Sequence, residues 1–204
     1  LVRTFAEADR VNAPDDSQRQ RLLQPLAVLQ QWAQSEGNAA LAATCQRFAA
    51  DTQSGTARTL PGPTGERNVY TLAPRARVLC LARSVDDLLV QTAAVLATGG
   101  TALWPSAQAS QRTPLPTLVQ AQIQLQDNTL NDGTLELDAV LHHGDAPSLQ
   151  AVCTALARRA GPIVGVTALQ PGATDIPLER LLIERALSVN TAAAGGNASL
   201  MTIG

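Results

Sequence analysis

The residues best suited to chemistry are grouped at His142-His143-Gly144-Asp145. Two imidazoles beside a carboxylate could ligate a metal or move protons. Their spacing argues against a shared ion, because adjacent residues on a strand point to opposite faces. The pair therefore reads as loop histidines with satisfied hydrogen bonds. The group still lies at the end of an expected strand, where α/β sheets bind ligands. Arg83, after an earlier strand, could meet a phosphate there. A dinucleotide fold needs glycines at that turn so that backbone can approach a pyrophosphate. The segment Ala82-Arg-Ser-Val-Asp86 contains none, so Arg83 reads as a solvated side chain. Gly99-Gly100-Thr101 runs from helix to strand, the wrong direction for a phosphate loop, and no GxxxxGK[ST] occurs.

The other nucleophile candidates are weaker. Cys80 lies in an apolar run, and Cys153 falls on the expected inner face of a helix. Burial raises a thiol pKa and makes it inert. Cys45 belongs to a helical stripe. Ser84, Ser106 and Ser199 lack a G-x-S-x-G setting. The three cysteines form no CxxC, so neither a zinc site nor a disulfide framework is indicated. No catalytic, cofactor-binding or metal-ligating residue is assigned to this chain.

Bulk properties narrow the class. The 204 residues suffice for one domain and an appendage, and 45% hydrophobic with 16% charged residues suits a packed globule. Aromatics are 2%, which removes the stacking platforms of single-stranded nucleic-acid binders. A net charge of −2 gives no basic footprint, so no nucleic-acid partner is expected. No apolar run is long enough to span a bilayer. The chain begins at Leu1 without a signal-type opening, so a fragment of a longer cytoplasmic protein is expected. The Asn197-Ala-Ser199 glycosylation pattern is then a chance match.

The elements that would position these residues follow from periodicity. Leu22, Leu26, Leu29 and Ala33 predict a helix over Gln18–Gln34, or one that starts near Gln24 with Pro25 in its first turn. A second helix is expected over Ala39–Asp51, closing a helical hairpin. Together they make an N-terminal helical segment, 1–51. Residues 52–67 are rich in Gly, Pro, Thr and Ser and read as a linker.

Residues 68–178 then alternate strands and helices. Strands are expected at Asn68–Leu72, Val78–Ala82, Thr101–Trp104, Ile123–Leu125, Asp138–His142 and Ile163–Leu169. One helix is opened by Ser84 with Asp87 and closed by Gly99-Gly100. A shorter one is expected near Leu115–Ala121, and another after Asp145, with Leu149, Val152, Cys153, Leu156 and Ala160 inward. This rhythm predicts an α/β fold with a Rossmann-like, mostly parallel sheet. Residues 179–204 close the chain, with one or two strands over Leu178–Asn190. The tail after them is apolar, and no charged residue follows Arg185. Such a tail reads as a segment laid against a surface.

Two segments carry a family resemblance. Gly62-Pro-Thr-Gly-Glu-Arg-Asn-Val-Tyr-Thr-Leu-Ala-Pro-Arg75 with Val78-Leu-Cys-Leu-Ala82 is similar to the region that follows the aldehyde dehydrogenase module in the proline utilization A family. The stretch Leu181–Gly204 resembles the extreme C-terminus of the extended members. The likeness runs from about Ala39 to Gly204.

The resemblance implies a bifunctional parent that oxidises proline to glutamate. FAD would serve its proline dehydrogenase, with electrons passing to membrane quinone, and NAD its glutamate-semialdehyde dehydrogenase. It implies an aldehyde-dehydrogenase-like fold in a non-catalytic C-terminal domain that binds neither cofactor itself. The partners would be the parent's own catalytic domains, and the parent would lie in the cytoplasm, peripherally at the inner membrane. The segment Leu181–Asn190 resembles the oligomerisation flap of aldehyde dehydrogenases. The tail would form the lid of a substrate-channelling tunnel, carried by Asn190, Thr191, Gly195, Gly196, Asn197, Leu200, Met201 and Ile203. The alternatives are an oligomerisation module and an independent small-molecule binder at the strand ends near Arg83 and His143.

Overall fold

The computed structural model describes residues 16–63, 65–127, 130 and 135–190, without the side chain of Asp16. Its centre is a five-stranded parallel sheet of β3 (Arg77–Leu81), β4 (Thr101–Pro105), β5 (Ile123–Gln126), β6 (Ala139–His143) and β7 (Gly165–Leu169), in the order β5-β4-β3-β6-β7. The register sets Val78 beside Ala102 and Ala139, and Ala139 beside Gly165. From β3 the chain moves outward to β4 and β5, then returns to lay β6 on the other side of β3. The reversal creates a switch point between β3 and β6.

Strand periodicity divides the core. Val78, Cys80, Ala102, Trp104, Ala139 and Leu141 face α3 (Val85–Thr98). Leu79, Leu103 and Val140 face the other way, toward Val152 of α6 (Ala146–Ala157). Helix α3 is buried from Asp87 to Thr98. A helix buried all round needs cover on both sides. The sheet supplies one side, and the hairpin of α1 (Asp16–Ser35) and α2 (Ala39–Asp51) supplies the other. Leu26, Leu29, Leu41, Cys45 and Phe48 join Leu88 and Leu96 in one core. Gly99 closes α3 at φ +84, and its N–H reaches the carbonyls of Val95 and Leu96.

Several sequence expectations are revised. Helix α1 does not wait for Pro25 but runs through it. Its opening turns are held by Arg19, which donates to the carbonyls of Ala49 (3.1 Å) and Thr52 (3.5 Å) at the end of α2. The 52–67 stretch expected as a linker contains β1 (Ala57–Leu60) and the turn into β2 (Glu66–Pro74). Strand β2 holds the expected Asn68–Leu72 but does not enter the parallel sheet. It pairs antiparallel with β1 and, over nine residues, with β8 (Leu182–Asn190). A 3-10 turn at Leu178–Leu181 leads into β8, so the second half of the expected Leu178–Asn190 strand region is one long strand. The strand expected at Ile163–Leu169 begins only at Gly165 and is a sheet edge, and Ile163 before it is fully exposed (101%). A 3-10 turn, Ser106–Gln108, and α4 (Ala109–Arg112) precede the shorter α5 (Thr117–Gln120).

Two leucines should separate core from flap. Leu29→Ala opens a cavity between α1 and α3 and should cost roughly 2–5 kcal/mol. Leu187→Ala, at a position 61% exposed, should change stability by less than about 0.5 kcal/mol. Urea unfolding of the two variants checks both values.

Candidate functional site

The switch point is where an open α/β sheet places a ligand. Here it is bounded by Ala82-Arg83-Ser84 after β3 and Gly144-Asp145 after β6. Ser84 caps α3, its Oγ accepting from the N–H of Asp87 at 3.1 Å. Asp145 caps α6, its Oδ1 accepting from the N–H of Ser148 at 2.9 Å. The Ser148 hydroxyl, and after it that backbone contact, holds the Asp145 carboxyl below its usual range. Arg83 reaches across the mouth to Asp145 at 3.5 Å, and both side chains are largely solvated.

His143 points to the α3 face and is buried. Gln91 Nε2 donates both to the carbonyl of Leu81 (3.0 Å) and to His143 Nδ1 (2.8 Å). With Nδ1 accepting, His143 Nε2 carries the proton and donates to the carbonyl of Ala173 at 2.8 Å. Asp87 lies 3.9 Å from the same nitrogen and accepts the N–H of Gly172 at 2.8 Å. His143, Gln91 and Asp87 thus fasten the 170–177 loop across the ends of β3 and β6. Both ring nitrogens of His143 are consumed inside the protein.

His142 points to the opposite face, as strand alternation requires. Its ring lies over Gly144, where an added Cβ would sit 2.5 Å from Cε1. His142 Nδ1 is buried without a partner, as is Gln91 Oε1. Desolvation is the main cause that lowers the His142 pKa, against the attraction of Asp145. No group of three or more His, Cys, Asp or Glu side chains that could hold a metal occurs among the described residues.

The electrostatics of the cleft oppose a phosphate. Helix N-termini attract anions. Here α3 carries Asp86 and Asp87 in its first turn, and α6 carries Asp145 as its cap. Both dipole ends already hold carboxylates of the chain itself. Arg83 is engaged by one of them.

The thiols divide. Burial pushes Cys45 up to about 12 and Cys80 further in the same direction. Cys153, expected on an inner helical face, is exposed. Val152 takes the inward position on α6, and the adjacent residue turns to solvent.

The second candidate surface is the flap β1-β2-β8. Strand β8 is exposed from Glu184 onward, including Leu187 (61%) and Val189 (41%). The flap expected at Leu181–Asn190 contains β8, and the strand expected at Asn68–Leu72 pairs with it as β2. Of the lid residues, Asn190 ends β8. Thr191, Gly195, Gly196, Asn197, Leu200, Met201 and Ile203 lie outside the described residues.

Comparison with known proteins places this geometry. The chain is 53% identical over 208 residues to the bifunctional protein PutA of Salmonella typhimurium and 48% identical over 206 residues to that of Escherichia coli. Each match covers 100% of this chain and 15% of the relative. Among solved structures, a proline utilization A with proline bound in remote sites superposes with a TM-score of 0.57 at 17% identity, over 74% of this chain and 19% of that one. An NADP-dependent glyceraldehyde-3-phosphate dehydrogenase from Bacillus halodurans gives 0.56 at 12% identity, over 74% and 40%. No protein-family model matches the chain.

The His142 environment predicts a pH dependence. Its pKa in the folded state lies below the ordinary imidazole value near 6.5. The folded state therefore resists a proton that the unfolded chain accepts. Its contribution is intact above that value and is lost as pH falls through the folded pKa. Unfolding free energy measured from pH 8 to 5 should drop in the acid part of the range. His142→Leu should shallow that drop, and an identical slope in the variant would contradict the assignment.

Proposed function

We propose, for a chain that belongs to the bifunctional PutA family as one segment of it, that it is the non-catalytic C-terminal domain of an enzyme oxidising L-proline to L-glutamate. The parent would combine an FAD-dependent proline dehydrogenase with an NAD-dependent glutamate-semialdehyde dehydrogenase. The observation that carries the non-catalytic reading is the switch point. There the histidine, the aspartates and the arginine that could meet a nucleotide or substrate are bonded to one another or to backbone. A Rossmann-like frame whose ligand groups are engaged internally serves as a scaffold. The independent small-molecule binder near Arg83 and His143 is the reading this disfavours.

The scaffold would present the flap and the tail to the parent's catalytic domains. Gly195-Gly196 would let the tail backbone approach closely, with Leu200, Met201 and Ile203 as apolar anchors. The tail would close the tunnel through which the proline-derived intermediate passes. A second reading, oligomerisation through the flap, is favoured by the solvent-facing Leu187 and Val189 on β8, an outer strand of the flap among the described residues. Among the described residues no helix is long and apolar enough to cross a membrane.

Deleting residues 191–204 from the full-length parent leaves β8 whole and tests the lid. NADH formation from proline should develop a lag. NADH formation from added semialdehyde, and the proline dehydrogenase step alone, should stay unchanged. Coupling that survives the deletion would sink the lid, and a fall in the parent's solution mass with coupling intact would favour oligomerisation.

A further inference from the structure

Strand β8 meets the body of the domain at its first residues. Leu182 is buried, Ile183 is half-buried, and every residue from Glu184 to Asn190 is exposed. Beyond that root β8 is supported by its ladder with β2, and β2 ends at the same root, since Pro74 pairs with Leu182. The β1 side of the flap has a separate tie, where the Ser54 hydroxyl donates to the Thr98 carbonyl of α3 at 2.6 Å. Before β8, Leu178 and Leu181 of the 3-10 turn are buried in the core with α3. Such burial fixes the depth of the turn but is non-directional. Direction comes from hydrogen bonds, which weaken steeply when misaligned.

Those bonds converge on Arg75, between β2 and β3. The carbonyls at the end of a helical turn lack partners inside it. The Glu179 carbonyl accepts from the N–H of Leu182. Arg75 takes the next two: its backbone N–H donates to the Leu181 carbonyl at 2.8 Å, and its Nε to the Arg180 carbonyl at 2.9 Å. The same guanidinium donates through Nη1 to the Asp138 carbonyl at 3.0 Å. Asp138 is locked in turn to the first residue of β3. Its Oδ2 accepts from the N–H of Arg77 at 2.9 Å, and its own N–H donates to the Arg77 carbonyl at 2.9 Å. One side chain thus joins the root of β8 to the starts of β3 and β6. Among the described residues Arg75 forms no ion pair. An arginine that spends two nitrogens on carbonyls of different elements acts through its planar fork, not through charge alone.

We infer that Arg75 is a positioning residue that fixes the angle of β8 on the parallel sheet, and with it the point where residues 191–204 leave the flap. The nine residues of β8 span about 26 Å, so a tilt of about 10° at the root moves the far end by roughly 4–5 Å. That displacement is longer than a hydrogen bond. The consequence for the tunnel rests on the lid reading, whereas the geometry of the root does not.

The test uses the full-length parent and two variants. Arg75→Met keeps an apolar stem and the backbone bond to Leu181 but removes both side-chain bonds. Arg75→Lys keeps the charge and ends in a single nitrogen. Hydrogen exchange read by mass spectrometry should show the amides of 178–183 exchanging at least about tenfold faster in Arg75→Met, with α3 unchanged. Arg75→Lys should remain at least about threefold faster than the unmodified parent. Unchanged exchange at 178–183 in Arg75→Met would overturn the inference. An equal rise in α3 would also overturn it, by making Arg75 a residue of general stability. So would full protection in Arg75→Lys, which would show that charge suffices. NADH formation from proline should develop a lag in Arg75→Met, with each separate activity unchanged. If deleting 191–204 produces the lag and Arg75→Met does not, the positioning role fails and the lid stands. If neither produces it, the lid reading fails and the exchange result alone decides the role of Arg75.

Discussion

Everything in this domain is arranged around a helix that is buried on all sides from Asp87 to Thr98. Helix α3 is apolar on nearly all sides, with Leu88, Leu89, Ala93, Ala94, Val95, Leu96 and Ala97 buried. One sheet cannot cover such a helix. The hairpin α1–α2 is therefore part of the core and not an ornament on it, and the Arg19 bonds to the end of α2 fix the hairpin's own geometry. Apart from Gln91 Oε1 and His142 Nδ1, the polar side chains inside find partners. Thr92 accepts from the indole of Trp104 at 3.1 Å, and Ser54 donates to the carbonyl of Thr98 at 2.6 Å. Buried polar groups left without partners cost far more than such bonds contribute.

The same helix determines what happens at the ligand end of the sheet. Its first two turns bring Asp87 and Gln91 under the ends of β3 and β6, and His143 meets them there. In a nucleotide-binding sheet this space would be open, lined by glycines, with a bare helix N-terminus. Here it is a closed seam of neutral and charge-assisted hydrogen bonds that ties the 170–177 loop in place. The loop in turn hands the chain to β8, whose pairing with β2 builds the flap. On the proposed reading, a frame associated with ligand binding becomes a frame that holds a flap.

Much of this was legible in the residues. Ser84 and Gly99 marked both ends of α3, and the apolar run at Val78 marked a strand. The opposed directions of His142 and His143 followed from alternation alone. What escaped were contacts set by distant partners. Strand β2 pairs with β8 more than a hundred residues later, so glycines and prolines nearby made its surroundings look like a linker. Pro25 looked like a helix boundary because nothing local reveals the Arg19 anchors. Cys153 and Val152 are adjacent on one helix, and periodicity could not decide which faced inward. Nor could the sequence show that Ile163 lies outside the sheet edge. The tail, the most distinctive stretch in the sequence, lies outside the described residues, so its role rests on resemblance.

We propose that this Rossmann-like sheet receives no nucleotide, because its own side chains engage one another at the switch point. Equilibrium dialysis of NAD against the full-length parent tests that most directly. The account predicts one NAD bound per polypeptide, the one belonging to the proposed semialdehyde dehydrogenase, with no change in stoichiometry for Arg83→Ala. Two NAD molecules per polypeptide, one of them lost in Arg83→Ala, would contradict it.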